Sequence, residues 1–418
     1  MSATRSQETL DNIPHEPVVD DRRGFRAHGT ARMIGGSLIG ALCAYLFVVV
    51  GGRRLGTVGF APIALLWTVF FIVATVVLVP LEQFVTREVG RGRRVLAADR
   101  RVLVTVIGAT AAAMAIFTTV TNGVLFDGNL IFTVQAALVI AGYGVMQVGK
   151  GILAGHRQFA TYGLVLTLEG LIRLGAAFLF LAISPTAASL GWAMVATPAC
   201  ILLVRPWRHD RITGHDVVPT PAVGFLGSYF AGSAASQLML AGAPLGVVAL
   251  GGDVALRSVI FTTFTLFRAP LTLIYSLQGR VLSFLVRSNG SGADIHRMVR
   301  RIATFGTTLA AMGGLVGWSA GPLVVEILFG TDFRPEPLVA TLVAAGVVMA
   351  SATQLMGQAL VAAGSTGQLA SAWVGGLAIG LATMLVSGGT PGFRVCLGFV
   401  VGEVAAFGFA LTRTIRHS

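Results

Sequence analysis

Two arginines interrupt an apolar stretch of the chain at a spacing that suits the binding of an anion. Arg257 and Arg268 are eleven residues apart, so on a helix their side chains point the same way, about 16 Å apart along the axis. Tyr275 continues that face, and Pro270 should kink the helix beside Arg268. A guanidinium group is well shaped for two parallel hydrogen bonds to a phosphate. We expect this stripe to face a hydrated cavity and bind an anionic group; alternatively, Arg268 bonds helix C-terminal carbonyls or a neighbouring acid.

Three acidic residues in apolar stretches are candidates for ion coupling. Glu169 lies four residues before Arg173, and Asp253 lies four residues before Arg257, a spacing at which opposite charges meet on one face of a helix. Each pair is either a self-neutralised contact inside a helix bundle or a functional one, and Arg173 is accordingly a candidate for substrate binding. Glu403 has no basic residue at that spacing, so it either stays protonated or carries a coupling proton.

Uncharged polar side chains form two further stripes in the C-terminal half of the chain. Their spacings, i, i+4, i+8 and i, i+3, i+7, place each set on one face of a helix. Such donors and acceptors suit a sugar, and hydrogen bonds between helices are the alternative for each stripe. We therefore take Gln237, Gln354 and Gln358 as candidate substrate-binding residues. The two stripes are Tyr229, Ser233 and Gln237, and Ser351, Gln354 and Gln358.

The stretches that must position these residues have the composition of a membrane protein. Of the 418 residues, 55% are hydrophobic and 11% are charged, against about 25% charged residues in a soluble domain. The mean hydropathy is +0.80. A bilayer core needs about 20 apolar residues per helix, and the sequence predicts twelve such helices in an all-α, polytopic membrane fold. The predicted spans are approximately 29–50, 58–81, 102–122, 129–149, 162–183, 186–204, 221–248, 253–278, 302–322, 336–361, 367–387 and 393–413.

The basic residues predict the orientation of these spans. With the amino terminus inside, 23 of the 30 lysine and arginine residues fall at the inner side, 4 fall outside and 3 lie within spans. Lys150 is assigned here to the inner loop between the fourth and fifth spans. Cytoplasmic loops carry such an excess, so we expect a multi-pass protein of the cell (inner) membrane with both termini in the cytoplasm. A net charge of +12 spread over several loops argues against nucleic acid as a partner.

The chain divides into two halves at its longest polar interruption. Residues 1–28 are polar and predict a disordered cytoplasmic tail, and residues 415–418 form a second short tail. Between them, we predict a six-helix lobe over 29–205, a cytoplasmic linker over 206–220 and a second six-helix lobe over 221–414. Two parallel six-helix repeats would place a binding site between the halves.

No motif in the sequence predicts an enzyme. The predicted outer loops are short and contain no paired carboxylates, and we find no nucleophile elbow, zinc motif or phosphate-binding glycine loop. Cys43, Cys200 and Cys396 lie in apolar runs and are expected to pack as small residues. We therefore expect no catalytic residue, no metal site and no other cofactor.

Several segments form a pattern that extends over about residues 29–414. They are GGSLIGALCAYLFVVVGGRRLGTVGF, EQFVTREVGRG, AGHRQFATYGLVLTLEGLIRL, LFGTDFRPEPLVATLVAAG and QALVAAGSTGQLA. The pattern resembles bacterial polysaccharide-unit flippases of the multidrug/oligosaccharidyl-lipid/polysaccharide (MOP) exporter superfamily. This resemblance implies a V-shaped pair of six-helix lobes of the MATE/flippase type.

The resemblance also implies an activity, the flipping of a polyprenyl-diphosphate-linked glycan from the inner to the outer leaflet for cell-surface polysaccharide biosynthesis. In related lipid flippases, arginines in the central cavity engage the diphosphate, and Arg268 and Arg257 match that role by position and type. The first span departs from some relatives, because its only charge is Arg32 at the inner end. The implied partners are the lipid-linked glycan, membrane lipids and other membrane proteins of polysaccharide assembly.

Two other functions stay open. The segment TREVGRGRR, between the second and third spans, is similar to the basic loop of major-facilitator transporters but lacks the aspartate before its arginines. An ion-coupled solute or drug antiporter is the first alternative. A non-transporting membrane scaffold is the second, and it predicts that Arg268 is dispensable.

Overall fold

The structure is a computed structural model that describes residues 21–209, 222–269, 271, 292–362 and 366–417, and helices account for almost all of them. The described residues contain no strand, which confirms the all-α prediction. The first half contains α1 (Asp21–Val73), α2 (Val79–Gly90), α3 (Val95–Ala98), α4 (Arg100–Val120), α5 (Asn122–Leu125), α6 (Ile131–Gly155), α7 (Phe159–Ile183), α8 (Ala187–Ala196) and α9 (Cys200–Val204). The second half contains α10 (Ala222–Ala241), α11 (Ala243–Ala249), α12 (Val254–Phe267), α13 (Gly292–Ser319), α14 (Gly321–Phe329), α15 (Pro337–Ala362), α16 (Thr366–Val386) and α17 (Pro391–His417).

The long helices of the described residues confirm a multi-pass membrane fold. Eight helical segments are long and apolar enough to cross a membrane. One of them, Gly29–Gly90, has 62 residues, which at about 1.5 Å per residue is roughly three times the thickness of a bilayer core. Gly56 interrupts this segment with a backbone φ of 67°, a conformation that glycine adopts easily. The segment is therefore two spans joined at Gly56.

Three further spans are broken or short. Gly232–Ala241 and Ala243–Ala249 meet at 74°, and Ile302–Ser319 and Gly321–Phe329 meet at 57°, so each bent pair forms one span. Helix α12 is an apolar helix of 14 residues, and residues 272–291 after it lie outside the described part of the chain. With the Gly56 segment counted as two and each bent pair as one, the described helices provide eleven spans, and the shorter α12 lies where the sequence predicts the eighth of twelve.

The two halves pack their spans in the same order. In the first half, α1 packs along α7, α4 along α6 and α7 against α8. In the second half, α10 packs along α16, α13 along α15 and α16 against α17. Counted in spans, these are the same three pairs: first with fifth, third with fourth and fifth with sixth. Each half is thus a six-helix lobe of one design, and we call them the N lobe (21–209) and the C lobe (222–417).

The two ends of the bundle differ in charge. The helices turn at one end near Gly56, which we call the Gly56 end, and at the other near Gly92, which we call the Gly92 end. The Gly56 end holds the turns at Gly128, Gly251, Gly330 and Gly389 and the arginines Arg53, Arg54, Arg257, Arg334 and Arg394. The Gly92 end holds the turn at His156 and the arginines Arg87, Arg91, Arg93, Arg94, Arg157, Arg205, Arg208 and Arg413.

Glycines allow the closest helix crossings in both lobes. A Cβ atom on Gly36 of α1 would lie 2.1 Å from the carbonyl oxygen of Gly163 in α7. In the C lobe, a Cβ on Gly380 of α16 would lie 2.7 Å from the carbonyl oxygen of Gly398 in α17. No larger residue fits at these crossings, so the glycines let the helix backbones approach closely.

Lys150 corrects the sequence prediction. It lies inside α6 and is 7% exposed, whereas the prediction assigned it to a loop. The apolar segment Gly151–Gly155 continues the helix beyond it, and Glu82 of α2 supplies the opposite charge at 3.6 Å. A lysine with a half-buried carboxylate beside it is compatible with a span, and a count of basic residues alone does not detect this.

Three boundaries also differ from the prediction or lie beyond the structure. Helix α1 begins at Asp21, inside the segment 1–28 that the sequence predicts as a tail. Residues 1–20 and most of the linker, 210–221, lie outside the described residues. Helix α12 ends at Phe267 with Arg268 as its C-cap, but Ala269 and Leu271 are helical again, so the mid-span position of Arg268 stays a prediction.

Candidate substrate site between the lobes

The lobes meet through a set of hydrogen bonds at the Gly56 end. The Arg53 side chain at the end of the first span reaches the last turn of α14 in the C lobe, where its Nε donates to the Leu328 carbonyl at 2.8 Å and its Nη2 donates to the Ile327 carbonyl. The Ser258 hydroxyl of α12 donates to the carbonyl of Thr57 at 2.6 Å. The C-terminal carbonyls of a helix have no intrahelical partners, so Arg53 supplies the donors that end α14.

Aromatic rings fill the space beside these hydrogen bonds. The ring of Phe60 in the N lobe lies 6.0 Å from the ring of Phe261 and 6.4 Å from that of Phe333, both in the C lobe. Phe329 packs on Phe333 at 6.0 Å. Phe60, Phe329 and Phe333 are fully buried. These buried rings and hydrogen bonds close the Gly56 end of the interface between the lobes.

Arg268 lies in this interface, further from the Gly56 end. Its guanidinium carbon is 5.4 Å from the centre of the Phe71 ring in the N lobe, within the range of a cation–π contact. Its Nη1 donates to the carbonyl of Leu240, the second-last residue of α10, at 3.0 Å. One turn earlier on α12, the Thr265 carbonyl accepts a hydrogen bond from the Tyr45 hydroxyl of the N lobe at 2.5 Å. Arg268 is only partly buried, so its charge is accessible in the middle of the bundle.

Arg257 also points toward the N lobe, but at the Gly56 end. Its Nη1 lies 3.4 Å from the carbonyl oxygen of Val124, and its Nε is buried without a hydrogen-bond partner among the described residues. The ion pair predicted between Asp253 and Arg257 is wrong for the described structure. Asp253 is the N-cap of α12, where its carboxylate accepts the amide N–H of Leu256 at 2.7 Å. The helix N-terminus offers Asp253 a closer donor and a favourable dipole.

The ion pair predicted between Glu169 and Arg173 is confirmed, and it belongs to a network inside the N lobe. Arg173 Nη2 lies 2.6 Å from Glu169 Oε1 and donates to the Tyr143 hydroxyl at 2.6 Å, while that hydroxyl lies 3.1 Å from the same Glu169 oxygen. The guanidinium also lies 5.1 Å from the centre of the Trp67 ring. Arg173 is 6% exposed. Its proposed contact with substrate stays a prediction, because the structure places the side chain within the lobe.

A second charged cluster in the N lobe was missed by the sequence analysis. Glu82 of α2 pairs with Lys150 of α6 at 3.6 Å and accepts a hydrogen bond from the Tyr162 hydroxyl of α7 at 2.6 Å. Glu82, Thr86 and Tyr162 line a pocket of about 520 Å³ toward the Gly92 end, whose other walls are mostly apolar side chains of α1, α6 and α7. The signal in the sequence was the only lysine of the chain, followed by five residues that can continue a helix.

The basic loop after α2 is held by a buried acid. Glu88 is fully buried; its carboxylate accepts hydrogen bonds from Arg91, at 3.3 Å, and from Arg93. Arg93 also lies 3.3 Å from Asp99. The hydrogen bond to Glu88 raises the pKa of Arg93 above its ordinary value, and the charge of Asp99 adds to this effect. Glu88 thus holds Arg91 and Arg93 against the N lobe. Both arginines belong to the segment that is similar to the basic loop of major-facilitator transporters.

Two mycobacterial proteins are similar in sequence to most of the chain. No family model matches the chain. It is 24% identical over 409 residues to the uncharacterized protein Rv3630 of Mycobacterium tuberculosis, covering 94% of each protein. It is also 25% identical over 356 residues to the uncharacterized protein Rv1510 of the same species, covering 81% of this chain and 80% of that one.

Solved structures resemble the whole chain. A multidrug resistance MATE family transporter of the MOP superfamily in its inward-facing conformation matches with a TM-score of 0.67 at 14% identity, over 89% of this chain and 94% of that one. An outward-facing MATE structure of that superfamily matches with a TM-score of 0.59 at 15% identity, over 93% and 96%. A mutant of the Vibrio cholerae MATE transporter VcmN gives 0.61 at 15% identity, over 94% and 98%. The chain has the MATE transporter fold.

Within this MATE fold, Gln354 of the polar stripe on α15 bonds to a residue of α10 that lies beside the other predicted stripe. Gln354 Nε2 donates to the hydroxyl of Ser236 on α10 at 3.1 Å, and the adjacent Gln237 is buried. The described contact of Gln354 is thus a hydrogen bond between helices, the alternative that the sequence left open. The side chains of Gln358 and Tyr229, and all of Tyr275, lie outside the described part, so their substrate contacts stay predictions.

The C lobe of the MATE fold buries one carboxyl group completely. Glu403 on α17 is 0% exposed, and neither of its oxygens has a hydrogen-bond partner among the described residues. Phe399 and Phe407, one turn away on either side, are also buried. An ionised carboxylate at this position would be unpaired, and burying an unpaired charge costs several kcal/mol.

Proposed function

We propose that the protein is an alternating-access transporter that flips a polyprenyl-diphosphate-linked glycan across the membrane. The observation that carries this proposal is the position of Arg268, a partly buried cation between the lobes in the middle of a MATE fold. A cation at that depth costs at least about 2.5–3.5 kcal/mol, and such residues mark substrate pathways in membrane proteins. A diphosphate is a suitable counter-charge, because each charge-assisted hydrogen bond contributes about 1.5–3 kcal/mol.

The closed Gly56 end fits one state of such a cycle. Arg53, Ser258 and the rings around Phe60 join the lobes there, while the pocket at Glu82 lies within the N lobe, toward the Gly92 end. In the proposed orientation the arginine-rich Gly92 end faces the cytoplasm. The substrate would enter from the inner leaflet, and the contacts of the Gly56 end would break to release it outside.

The orientation is tested by thiol labelling. In a variant from which Cys43, Cys200 and Cys396 have been removed, a cysteine at Asp127 or Gly389 should react with an impermeant reagent added to intact cells. A cysteine at Arg94 should not react until the membrane is opened. Labelling of position 94 from outside would contradict the proposed topology.

The function is tested by variants of Arg268. Arg268→Ala should abolish delivery of the lipid-linked glycan to the outer leaflet, measured by leaflet-specific labelling, and Arg268→Lys should rescue it only in part because lysine lacks the planar fork. Arg394→Ala is the matched control, because Arg394 also donates to helix carbonyls, those of Met384 and Leu385, but at the edge of the C lobe. Normal delivery by a well-expressed Arg268→Ala protein would contradict the proposal and favour a scaffold.

An ion-coupled antiporter of amphipathic cations is the second candidate. The pocket beside Glu82 favours it, because mostly apolar walls with one carboxylate suit an organic cation. This function predicts that the protein lowers the accumulation of a lipophilic cation such as tetraphenylphosphonium, and that Glu82→Gln removes the effect while Arg268→Ala does not. Glycan flipping predicts the reverse dependence on the two residues.

A further inference from the structure

The seventh span, formed by α10 and α11, is broken within one turn of the carbonyl that holds Arg268. Helix α10 ends at Ala241, Gly242 separates the two helices, and α11 leaves at 74°. In a continuous helix, the carbonyl of Leu240 would accept the amide N–H of residue 244, four positions on. Residue 244 is a proline, which has no amide hydrogen. The Leu240 carbonyl therefore has no donor of its own within the span.

A carbonyl without a donor at this position needs a partner from elsewhere. Leu240 is 2% exposed, and a buried carbonyl without a hydrogen bond is strongly disfavoured. Arg268 Nη1 supplies the donor at 3.0 Å. Pro244 is itself buried, so the broken span and Arg268 form one unit in the C lobe.

We infer that Pro244 is a positioning residue for the anion site: it leaves the Leu240 carbonyl open, and this carbonyl holds the Arg268 guanidinium at the interface between the lobes. The inference rests on the proposed function of Arg268 and extends it to the seventh span. One N–H of the guanidinium is held by Leu240, and its carbon is held over the Phe71 ring at 5.4 Å. A guanidinium fixed at two points loses less side-chain entropy when it binds a diphosphate.

The inference also gives the broken span a part in the transport cycle. A diphosphate bound to the remaining N–H groups of Arg268 is linked through this guanidinium to the Leu240 carbonyl in the last turn of α10. Binding of the diphosphate at Arg268 and the bend at Gly242 are then coupled. Helix α10 transmits the effect of binding to the rest of the C lobe.

The experiment is a double-mutant cycle on Pro244 and Arg268 in the full-length protein in detergent. Pro244→Ala restores an amide N–H that competes for the Leu240 carbonyl. Arg268→Ala should lower the melting temperature by a few degrees in the otherwise unchanged protein, and by less than half as much in the Pro244→Ala background. Such non-additivity reports that the two residues act on one carbonyl.

Binding of a short-chain polyprenyl diphosphate supplies the second readout. Pro244→Ala keeps Arg268 but frees it from its anchor, so we expect binding to weaken by about tenfold, which corresponds to about 1.4 kcal/mol. A merely structural proline would leave this affinity unchanged. Pro322→Ala is the matched control, because Pro322 is also the second residue of the second helix in a bent span, α14.

The outcomes separate the inference from the proposed function. Additive melting shifts, or equal binding by Pro244→Ala and the unchanged protein, would overturn the positioning role of Pro244. Non-additive shifts in a protein that fails to bind the diphosphate at all would support the anchor between Pro244 and Arg268 and overturn the proposed substrate. If Pro322→Ala weakened diphosphate binding to the same extent, the inference would also be overturned. The loss would then follow from altering either bent span and would not depend on the Leu240 carbonyl.

Discussion

The two lobes share one packing order but treat buried charge differently. In the N lobe, Arg173 pairs with Glu169 and Lys150 pairs with Glu82, so that each cation has an acid beside it. In the C lobe, Arg268 contacts a backbone carbonyl and an aromatic ring, and the carboxyl of Glu403 has no hydrogen-bond partner among the described residues. Acid–base pairs hold a lobe together, whereas a cation bonded to a helix carbonyl between the lobes is placed where partners change during a cycle. The comparison predicts large stability losses in the N lobe and functional losses in the C lobe.

The largest expected effect is at Arg173. Arg173→Ala leaves Glu169 and the Tyr143 hydroxyl without their main partner inside the N lobe, and removal of one member of a buried pair costs about 3–5 kcal/mol. Thermal unfolding in detergent and the yield of folded protein measure this loss. Arg334→Ala is the control: its pair with Glu326, at 2.9 Å, is largely exposed, so its loss should cost at most about 1 kcal/mol. Equal losses in the free energy of unfolding for the two variants would contradict the proposal that buried ion pairs hold the N lobe together.

A smaller loss is expected at Lys150. Lys150→Met keeps the length of the side chain but removes the charge next to Glu82, which retains the hydrogen bond from Tyr162 and faces the pocket. We expect a loss of about 1–3 kcal/mol in the free energy of unfolding. The double variant Glu82→Gln, Lys150→Met should recover part of it, because no uncompensated charge remains. A Lys150→Met protein as stable as the unchanged protein would show that this pair does not hold the N lobe together.

The fold was largely predictable from the sequence, because a span in lipid must be apolar over its whole length. This requirement predicts twelve spans and two lobes, and it holds for broken spans as well as straight ones. It fails at Lys150, where an acid on another helix compensates the charge. The spacing rule was right for Glu169 and Arg173 and wrong for Asp253 and Arg257, because capping of α12 competes for the Asp253 carboxylate.

The site between the lobes was only partly predictable. The sequence indicates that Arg268 needs a partner at membrane depth, and it leaves open a helix carbonyl as that partner. The identity of the carbonyl, Leu240, depends on a contact 28 residues away and on the bend of a span that hydropathy treats as continuous. Nothing local in the sequence indicates that Arg53 ends α14 of the other lobe.

The next effect concerns the closed Gly56 end that joins the lobes. Arg53→Ala removes two hydrogen bonds to the carbonyls of α14, which should shift the equilibrium toward opening of that end by about tenfold, or about 1.4 kcal/mol. A cysteine at Ser258, in a protein without the native cysteines, reports the opening through its rate of reaction with an impermeant thiol reagent. The exposed neighbour Arg54 provides the control variant Arg54→Ala. Equal labelling rates in both variants would show that Arg53 does not hold this end closed.

The smallest effect on stability, and the sharpest on mechanism, is expected at Glu403. Glutamine has nearly the shape of a neutral glutamic acid, so Glu403→Gln should change the free energy of unfolding by less than about 1 kcal/mol. If Glu403 takes up a proton during the cycle, the same variant loses the group that exchanges it, and transport should depend less on the proton gradient. The measurement compares flipping at several imposed gradients, with Gln354→Glu as a control that adds a carboxylate beside Ser236 on another face of the lobe. An unchanged dependence on the gradient in Glu403→Gln would leave Glu403 as a neutral packing residue, and proton coupling would then have to be sought among the paired acids of the N lobe.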